Sequence, residues 1–254
     1  MDAWRRAITF IRAHDERTAE EVVPCRWGRA LINRSLNLVH DANYLIADQL
    51  DGADTETLIA AAEDIQGRAP LRHRRVNVDD QPAADLLRHG FASHGYQPER
   101  FVLMEHRRRP DRSVDHGQVR QVDWSAIRPA RELDRSQQPW ASPLLVEQLL
   151  AWHELSGHRI KTRYFAAVDE GQVVSSCELR TEGDVAQIET VETLAEFRRR
   201  GLSRAVMSAA LAAAADYRFV FLVADADDWP QDFYRRLGFD AVGIESRFLR
   251  LLDG

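Results

Sequence analysis

The residues best suited to chemistry lie in one short turn, Arg198–Arg204, which reads RRRGLSR. A predicted apolar strand, Val185–Val191, leads into this turn, and a predicted helix, Ser203–Ala215, leaves it. The first amide groups of a helix have no internal partner, and the helix dipole favours an anion beside them. Gly201 lacks the Cβ that would keep a diphosphate away from the backbone, and the arginines supply positive charge. The turn therefore predicts a site for a phosphorylated cofactor.

A second motif, Asp232–Phe239, reads DFYRRLGF and follows the turn after one predicted helix and one apolar strand. The pattern Arg198-x-x-Gly201-x-Ser203 in the turn resembles the acyl-CoA signature of the GNAT N-acetyltransferase superfamily, Arg/Gln-x-x-Gly-x-Gly/Ala. The sequence departs from that signature at Ser203, where Gly or Ala is usual. A serine hydroxyl at this position could cap the helix or contact a phosphate.

The second motif adds to the resemblance, because Tyr234-x-x-x-Gly238-Phe239 is similar to the family motif that closes the CoA site. The resemblance implies a GNAT acyl-CoA N-acyltransferase fold of the α/β (α+β) class, with a mixed, mostly antiparallel sheet flanked by helices. It also implies direct transfer of the acetyl group of acetyl-CoA to a primary amine of a small molecule or peptide.

The resemblance assigns the parts of an acetyl-CoA site to named residues. The diphosphate would be held by the turn, at Arg199, Arg200, Gly201, Leu202, Ser203 and Arg204. The preceding strand would splay from its neighbour, so that the backbone of Glu192, Thr193 and Leu194 faces the pantetheine amides and the thioester carbonyl. An N–H aimed at that carbonyl would stabilise the oxyanion, an effect that is typically worth ~3–4 kcal/mol.

Two side chains are candidates for proton transfer. By its place in the second motif, Tyr234 would protonate the departing thiolate, since a phenol of pKa ~10 can protonate the anion of a thiol of pKa ~8.5. Packing of this ring against pantetheine is the alternative. Glu189 is the first choice of general base, and deprotonation through a water chain is the alternative. Glu189 and Glu192 differ by an odd number, so a regular strand would send them to opposite faces unless a bulge intervenes.

A charged stretch with almost no apolar residues, 107–117, predicts a linker between two domains. The N-terminal domain would comprise residues 1–106, and the catalytic domain would comprise residues 118–254. A length of 254 residues fits two domains better than one.

The N-terminal half is expected to be a degenerate GNAT-like module in a tandem arrangement, with an unrelated α/β cap as the alternative. Leu86–Met104 looks like the helix, turn and final strands that follow the family's second motif. The approach to that helix contains no glycine turn and places Asp79 and Asp80 near the helix start, where carboxylates would repel a diphosphate. We therefore expect this half to bind no CoA.

Composition excludes several classes of protein. The net charge of −6 and the pI near 5.9 argue against a dedicated binder of nucleic acid or of anionic membranes. Cys25 and Cys177 have no ligand spacing, and His89 and His94 do not share a helical face, so no metal site is expected. No signal pattern begins the sequence, and no apolar run approaches the ~20 residues of a membrane helix. The expected location is the cytoplasm.

The expected partners are acetyl-CoA and an amine acceptor, and a homodimer is left open. The acidic net charge favours a cationic amine. Two alternatives remain: a non-catalytic acyl-CoA-binding or regulatory module, and a transferase that uses a longer acyl-CoA. Trp140, Trp152 and Trp229 are interpreted as parts of the core or of a pocket wall.

Overall fold

The computed structural model describes residues 1–227 and 230–252, so that Trp229 lies outside the described residues. The chain folds into two compact units. The first contains Met1–Leu103 and the segments that begin at Asp225 and Val242. The second contains Met104–Ala224 and the segment that ends at Ala241.

The first unit is a mixed sheet covered by helices. Its elements in chain order are α1 (Ala3–Thr18), β1 (Glu21–Cys25), β2 (Gly28–Ile32), β3 (Tyr44–Ala47), α2 (Thr55–Gly67), β4 (His73–Val78), α3 (Gln81–Ser93) and β5 (Gln97–His106), the last three residues of which belong to the second unit. Strands β1, β2 and β3 pair antiparallel, whereas β3 and β4 pair parallel. The core contains Leu58 of α2, Val76 of β4 and Phe91 of α3.

The second unit repeats this design. Its elements are β6 (Val119–Val122), α4 (Trp124–Ser136), α5 (Pro143–Arg159), β7 (Lys161–Asp169), β8 (Gln172–Glu182), β9 (Val185–Thr193), α6 (Leu202–Ala213), β10 (Phe219–Asp225), α7 (Pro230–Arg236) and the start of β11 (Phe239–Leu251). Strands β6 to β9 pair antiparallel in sequence, and β9 pairs parallel with β10. Glu178 of β8 contacts α4 through Arg131, and Cys177 contacts Val206 of α6, so the two helices lie on opposite faces of the sheet.

The same order of elements therefore occurs twice. The order is one helix, three antiparallel strands, a crossover helix, a parallel strand, another helix and a last strand. It forms α1–β5 in the first unit and α5–β11 in the second. The predicted fold class, a mixed and mostly antiparallel sheet flanked by helices in a tandem arrangement, is confirmed.

Local sequence signals account for several element ends. Asp54 caps α2, because its carboxylate accepts the Thr57 N–H and the Thr57 hydroxyl lies within hydrogen-bonding distance of the Asp54 amide. The Ser142 hydroxyl caps α5. The predicted hairpin between β7 and β8 turns at Glu170 and Gly171, both of which have positive φ.

The last strand departs from the predicted division at residues 107–117. Ser246–Leu251 of β11 pairs antiparallel with β4, so the end of the chain belongs to the first unit and not to the second. Glu245 explains the attachment: it accepts hydrogen bonds from Arg12 at 2.6 Å, Asn77 at 3.0 Å and Arg247 at 2.7 Å. Burial alone would raise the pKa of Glu245. The neighbouring guanidinium groups of Arg247 and Arg12 outweigh this effect and lower that pKa to about 2.

The predicted linker likewise belongs to the second unit. The amides of Arg107 and Arg108 both donate to the Gly238 carbonyl, and the Asp111 amide donates to the Arg236 carbonyl at 2.8 Å. Backbone hydrogen bonds thus fix a segment whose lack of apolar residues predicts a free connection.

Candidate active site

The parallel strands β9 and β10 separate at their carboxyl ends. They pair only through Val185–Gln187 and Phe219–Phe221. Beyond these pairs β9 continues to Thr193 and β10 to Asp225 without pairing to each other. The open edge is the structural feature that allows an extended ligand to add to a sheet through main-chain hydrogen bonds.

The predicted cofactor turn lies at the end of β9 and leads into α6. Arg199 and Gly201 adopt left-handed conformations, with φ of 64° and 81°. Gly201 is the N-cap of α6, and no side chain caps this helix. Within the described part of the chain, the amides of residues 199–203 have no acceptor. These N–H groups, together with the helix dipole, form a site for an anion.

Open space and positive charge surround this turn. A Cβ added at Gly201 would meet no atom within 4 Å, so a ligand has room to reach the backbone. The side chains of Arg198, Arg199 and Arg200 are exposed. Arg200 lies over the ring of Phe197, at 4.9 Å from its centroid. These residues fit the phosphates of an acyl-CoA in charge, backbone geometry and access.

Arg204, a predicted cofactor residue, has a different environment from the other residues of the turn. Its side chain is buried and its guanidinium donates to the Asp111 carboxylate at 2.6 Å. It also lies near the ring of Phe233 on α7. Burial and the ion pair with Asp111 commit the Arg204 side chain, on the third residue of α6, to contacts inside the protein, so it is not available to an external phosphate.

The backbone N–H groups of Glu192–Leu194 do not all point toward the open edge. The Leu194 amide donates to the Val174 carbonyl of β8 at 3.0 Å, so this N–H faces β8 and not the open edge. Because N–H groups alternate along an antiparallel ladder, the Thr193 amide points to the other side. Of the three residues predicted to face the pantetheine, the geometry thus favours Thr193 as the donor and commits Leu194 to the sheet.

A bulge in β9 places Glu189 and Glu192 on the same face of the sheet. Glu189 pairs with Glu178 and Glu192 pairs with Ser176, with one residue of β8 between these pairs and two residues of β9. Thr190, inside the bulge, has a φ of 51°. Since residues two apart on β8 share a face, Glu189 and Glu192 also share a face, contrary to the expectation for a regular strand.

Tyr234 and Glu189 influence each other electrostatically. Tyr234 is half-buried on α7, and its ring lies 6.2 Å from that of Phe239. Burial, and then the Glu189 carboxylate, raise the pKa of the Tyr234 hydroxyl above its ordinary value. The phenol, which is protonated at neutral pH even at its ordinary pKa of ~10, is thus held further toward its neutral form. Glu189 itself accepts a hydrogen bond from the Gln187 side chain at 2.5 Å.

Glu192 belongs to a cluster of charged side chains that sequence reasoning did not identify. Arg135 of α4 donates to its carboxylate at 2.9 Å, and Arg131 lies 3.5 Å from it. Arg135 also donates to Nε2 of His153, which must therefore be neutral. Burial lowers the pKa of His153 to about 4, in agreement with this contact. The Glu192 oxygens are thus occupied by guanidinium groups and are less available to the proton of an amine, which leaves Glu189 as the candidate base.

Other expectations concern absent features. Within the described residues, no three histidine, cysteine or acidic side chains gather into a group that could hold a metal ion. None of the helices described is long and apolar enough to cross a membrane. Trp140 is exposed and Trp152 is half-buried, so Trp140 does not belong to the core.

Comparison with known proteins gives a family match for the second unit. Residues 124–239 match the model of the acetyltransferase (GNAT) family, a span that contains the strand opening, the turn and Tyr234. No curated protein matches the chain.

Solved structures share the fold at low sequence identity. A functionally unknown conserved protein from Staphylococcus epidermidis ATCC 12228 matches with a TM-score of 0.70 and 18% identity, over 92% of this chain and 95% of that one. A GCN5-related N-acetyltransferase from Kribbella flavida matches with a TM-score of 0.59 and 15% identity, over 98% and 95% of the two chains. A tandem GNAT protein from the clavulanic acid biosynthesis pathway matches with a TM-score of 0.50 and 14% identity, over 78% and 70%.

Proposed function

Because residues 124–239 form a domain of the GNAT acetyltransferase family, we propose that this domain transfers the acetyl group of acetyl-CoA to a primary amine of a small molecule or peptide. The observation that carries the proposal is the opening between β9 and β10, which ends beside the uncapped start of α6. An extended pantetheine fits the first feature, and a diphosphate fits the second.

The residues of the second unit suit the individual steps. The amides of residues 199–203 would hold the diphosphate, and the Thr193 amide would face the thioester arm. The amine nitrogen forms a bond to the acetyl carbon while the carbon–sulfur bond breaks. The amine loses a proton to Glu189, directly or through water, and the thiolate takes one from Tyr234. Tyr234 suits this role because a phenol is protonated at neutral pH and so has a proton to donate.

The environment of Glu189 also agrees with a base. Glu189 is half-buried on the bulged part of β9 and influences Tyr234, so the proposed acid and base would act on the same reacting group. Glu192 shares its face but is neutralised by Arg135. Glu189→Gln should therefore reduce turnover more than Glu192→Gln reduces it.

The proposal is tested by incubating the full chain with acetyl-CoA and a panel of primary amines, and by following free CoA thiol and acetylated product. Cationic amines are the first to include, because the chain carries a net charge of −6. Acetyl-CoA binding without turnover on any amine would support the non-catalytic module instead. Faster turnover with a longer acyl-CoA would support the third alternative. Absence of binding would refute the cofactor site itself.

A further inference from the structure

Three hydroxyl groups form a continuous chain beneath the cofactor turn. The Ser203 hydroxyl of α6 lies 2.8 Å from the Thr193 hydroxyl at the end of β9. The Thr193 hydroxyl lies 2.8 Å from that of Ser175 on β8, which is 2% exposed. The Ser175 hydroxyl donates to the Glu192 carbonyl at 2.9 Å.

The direction of every hydrogen bond in this chain follows from its last member. A carbonyl oxygen can only accept, so the single proton of Ser175 is committed to Glu192. Ser175 must then accept from Thr193, and Thr193 must accept from Ser203. The Ser203 proton consequently points toward the sheet, and its oxygen can only accept further bonds. Ser203 therefore does not donate to a phosphate, and, as a separate observation, no side chain caps α6.

The chain joins the two ends of a strained segment. Thr193 is the last residue of β9, and Ser203 is the second residue of α6. Between them, Arg199 adopts a left-handed conformation, which a residue with a Cβ holds only when its surroundings enforce it. A second hydrogen bond also joins the turn to the end of β9: Nε of Arg198 donates to the Thr193 carbonyl at 3.1 Å. Both contacts at Thr193 hold the turn in the conformation that exposes its amides.

We propose that Ser175, Thr193 and Ser203 are positioning residues that hold the amides of residues 199–203 in place for the diphosphate of an acyl-CoA. The inference rests on the proposed function. A ligand gains affinity when its site is ordered before binding, so loss of the chain weakens acyl-CoA binding. The expected effect of every variant is a higher Kd for acetyl-CoA. For Ser203, which lies at the diphosphate end of the site in the first turn of α6, the effect should also appear in KM and not in kcat.

The test compares Thr193→Val, which keeps the shape and removes the hydroxyl, with Thr193→Ser, which restores it. One lost hydrogen bond in a positioning chain is expected to raise the Kd of acetyl-CoA about fivefold. Thr193→Ser should restore the affinity of the natural protein, because the hydroxyl is back in place. The loss should be larger for acetyl-CoA than for S-acetylpantetheine, which has no diphosphate.

Ser203→Ala is the second variant, since it removes the chain's first member at a half-buried position and introduces a residue that a helix tolerates well. A similar rise in Kd supports the proposal, also in the event that Thr193→Val does not fold. Unchanged affinity in Ser203→Ala, or equal affinities in Thr193→Val and Thr193→Ser, overturns it. A fall in kcat at constant KM in Ser203→Ala also overturns it, because the chain would then serve the chemical step. If the natural protein does not bind acetyl-CoA at all, the proposed function fails first and independently.

Discussion

The two crossovers of the chain, β3–α2–β4 and β9–α6–β10, share a topology and differ in the space that they leave. Each contains three pairs of residues in a parallel register. In the first unit the pairs reach the ends of both strands, at Ala47 and Val78, and the Asp79 amide continues toward the Ala47 carbonyl. In the second unit the strands continue beyond their last pair, Gln187 and Phe221, without meeting. Only the second crossover therefore offers an open backbone edge.

The N-termini of the two crossover helices also differ: that of α2 is capped by a side chain, and that of α6 is not. The first turn of α2 is closed by its own side chains, because the Asp54 carboxylate accepts from the Thr57 amide. The first turn of α6 begins at Gly201 with no side-chain cap. A helix start that is capped internally has fewer N–H groups to offer to an external anion.

Charge completes the contrast. The loop before α2 contains Asp48, Asp51 and Asp54, whereas the turn before α6 contains three consecutive arginines. The topology also corrects one expectation: the counterpart of the cofactor turn in the first unit is this loop, and not the approach to α3 near Asp79. The comparison teaches that the same backbone path can favour or oppose a diphosphate according to strand pairing, capping and charge.

The second motif has a counterpart in the first unit as well. Phe91-x-x-x-Gly95-Tyr96 has the spacing of Tyr234-x-x-x-Gly238-Phe239, and both glycines have positive φ. Phe91 is fully buried and has no hydroxyl, so the first unit contains no proton donor at the position of Tyr234.

The largest expected effect comes from Gly201→Asp, which places a side chain and a negative charge at the proposed diphosphate position. We expect no measurable acetyl-CoA binding by calorimetry. Gly52→Asp is the matched control, because Gly52 also has positive φ and an added Cβ would also meet open space, but in the first unit. Equal loss in both variants, or unchanged affinity in Gly201→Asp, would reject the assignment of the site to the second unit.

Tyr234→Phe gives the second unit the residue that the first unit already has at this position. It should lower kcat by about 10²–10⁴-fold with little change in the affinity for acetyl-CoA, because only the proton donor is lost. Steady-state kinetics with a good acceptor would measure this. Tyr217→Phe, outside the site, is the control. A kcat close to that of the natural protein would reduce Tyr234 to a packing role.

Asp54→Ala tests the capped helix of the first unit. Removal of the cap should lower the Tm by about 2–4 °C, because the first amides of α2 lose their acceptor. Asp54→Asn should retain most of the stability, since its side-chain oxygen can still accept from Thr57. Acetyl-CoA affinity should not change in either variant. An appearance of a second binding site in Asp54→Ala would show that capping alone prevents binding in the first unit.

The smallest expected effect is a pH dependence shared by the two units. Burial lowers the pKa of His73, in the first unit, to about 3 and that of His153, in the second, to about 4. Unfolding restores a pKa of ~6.5, so the unfolded chain binds more protons below that pH. Stability should therefore fall as the pH decreases from about 6.5 toward 4. Melting curves of His73→Gln and His153→Gln, recorded between pH 6.5 and 4, should each show a Tm that depends less steeply on pH than the Tm of the natural protein. An unchanged pH dependence of the Tm in both variants would contradict this account.

Sequence patterns predicted the elements with strong local signals. Asp54, Gly95 and the Glu170–Gly171 turn mark helix or strand ends through their own chemistry, and the structure confirms each of these positions. The spacing of Arg198, Gly201 and Tyr234 likewise predicted the family, because these residues belong to two short motifs that are visible in the sequence.

The rest depends on contacts that are distant in sequence. β1 contains Pro24 and has a mostly exposed pattern, so nothing local predicts a strand. The attachment of β11 to β4 depends on Glu245 meeting Arg12, more than two hundred residues away. The chain of hydroxyls at Thr193 and the bulge at Thr190 depend on the register with β8, which periodicity does not define.

The central claim is that this tandem chain has one acyl-CoA site and that it lies in the second unit. Calorimetric titration of acetyl-CoA into the full chain tests it most directly, because the method gives the number of sites as well as the affinity. The account predicts one acetyl-CoA per chain in the natural protein and none in Gly201→Asp. Two acetyl-CoA molecules per chain, or one that remains in Gly201→Asp, would contradict it.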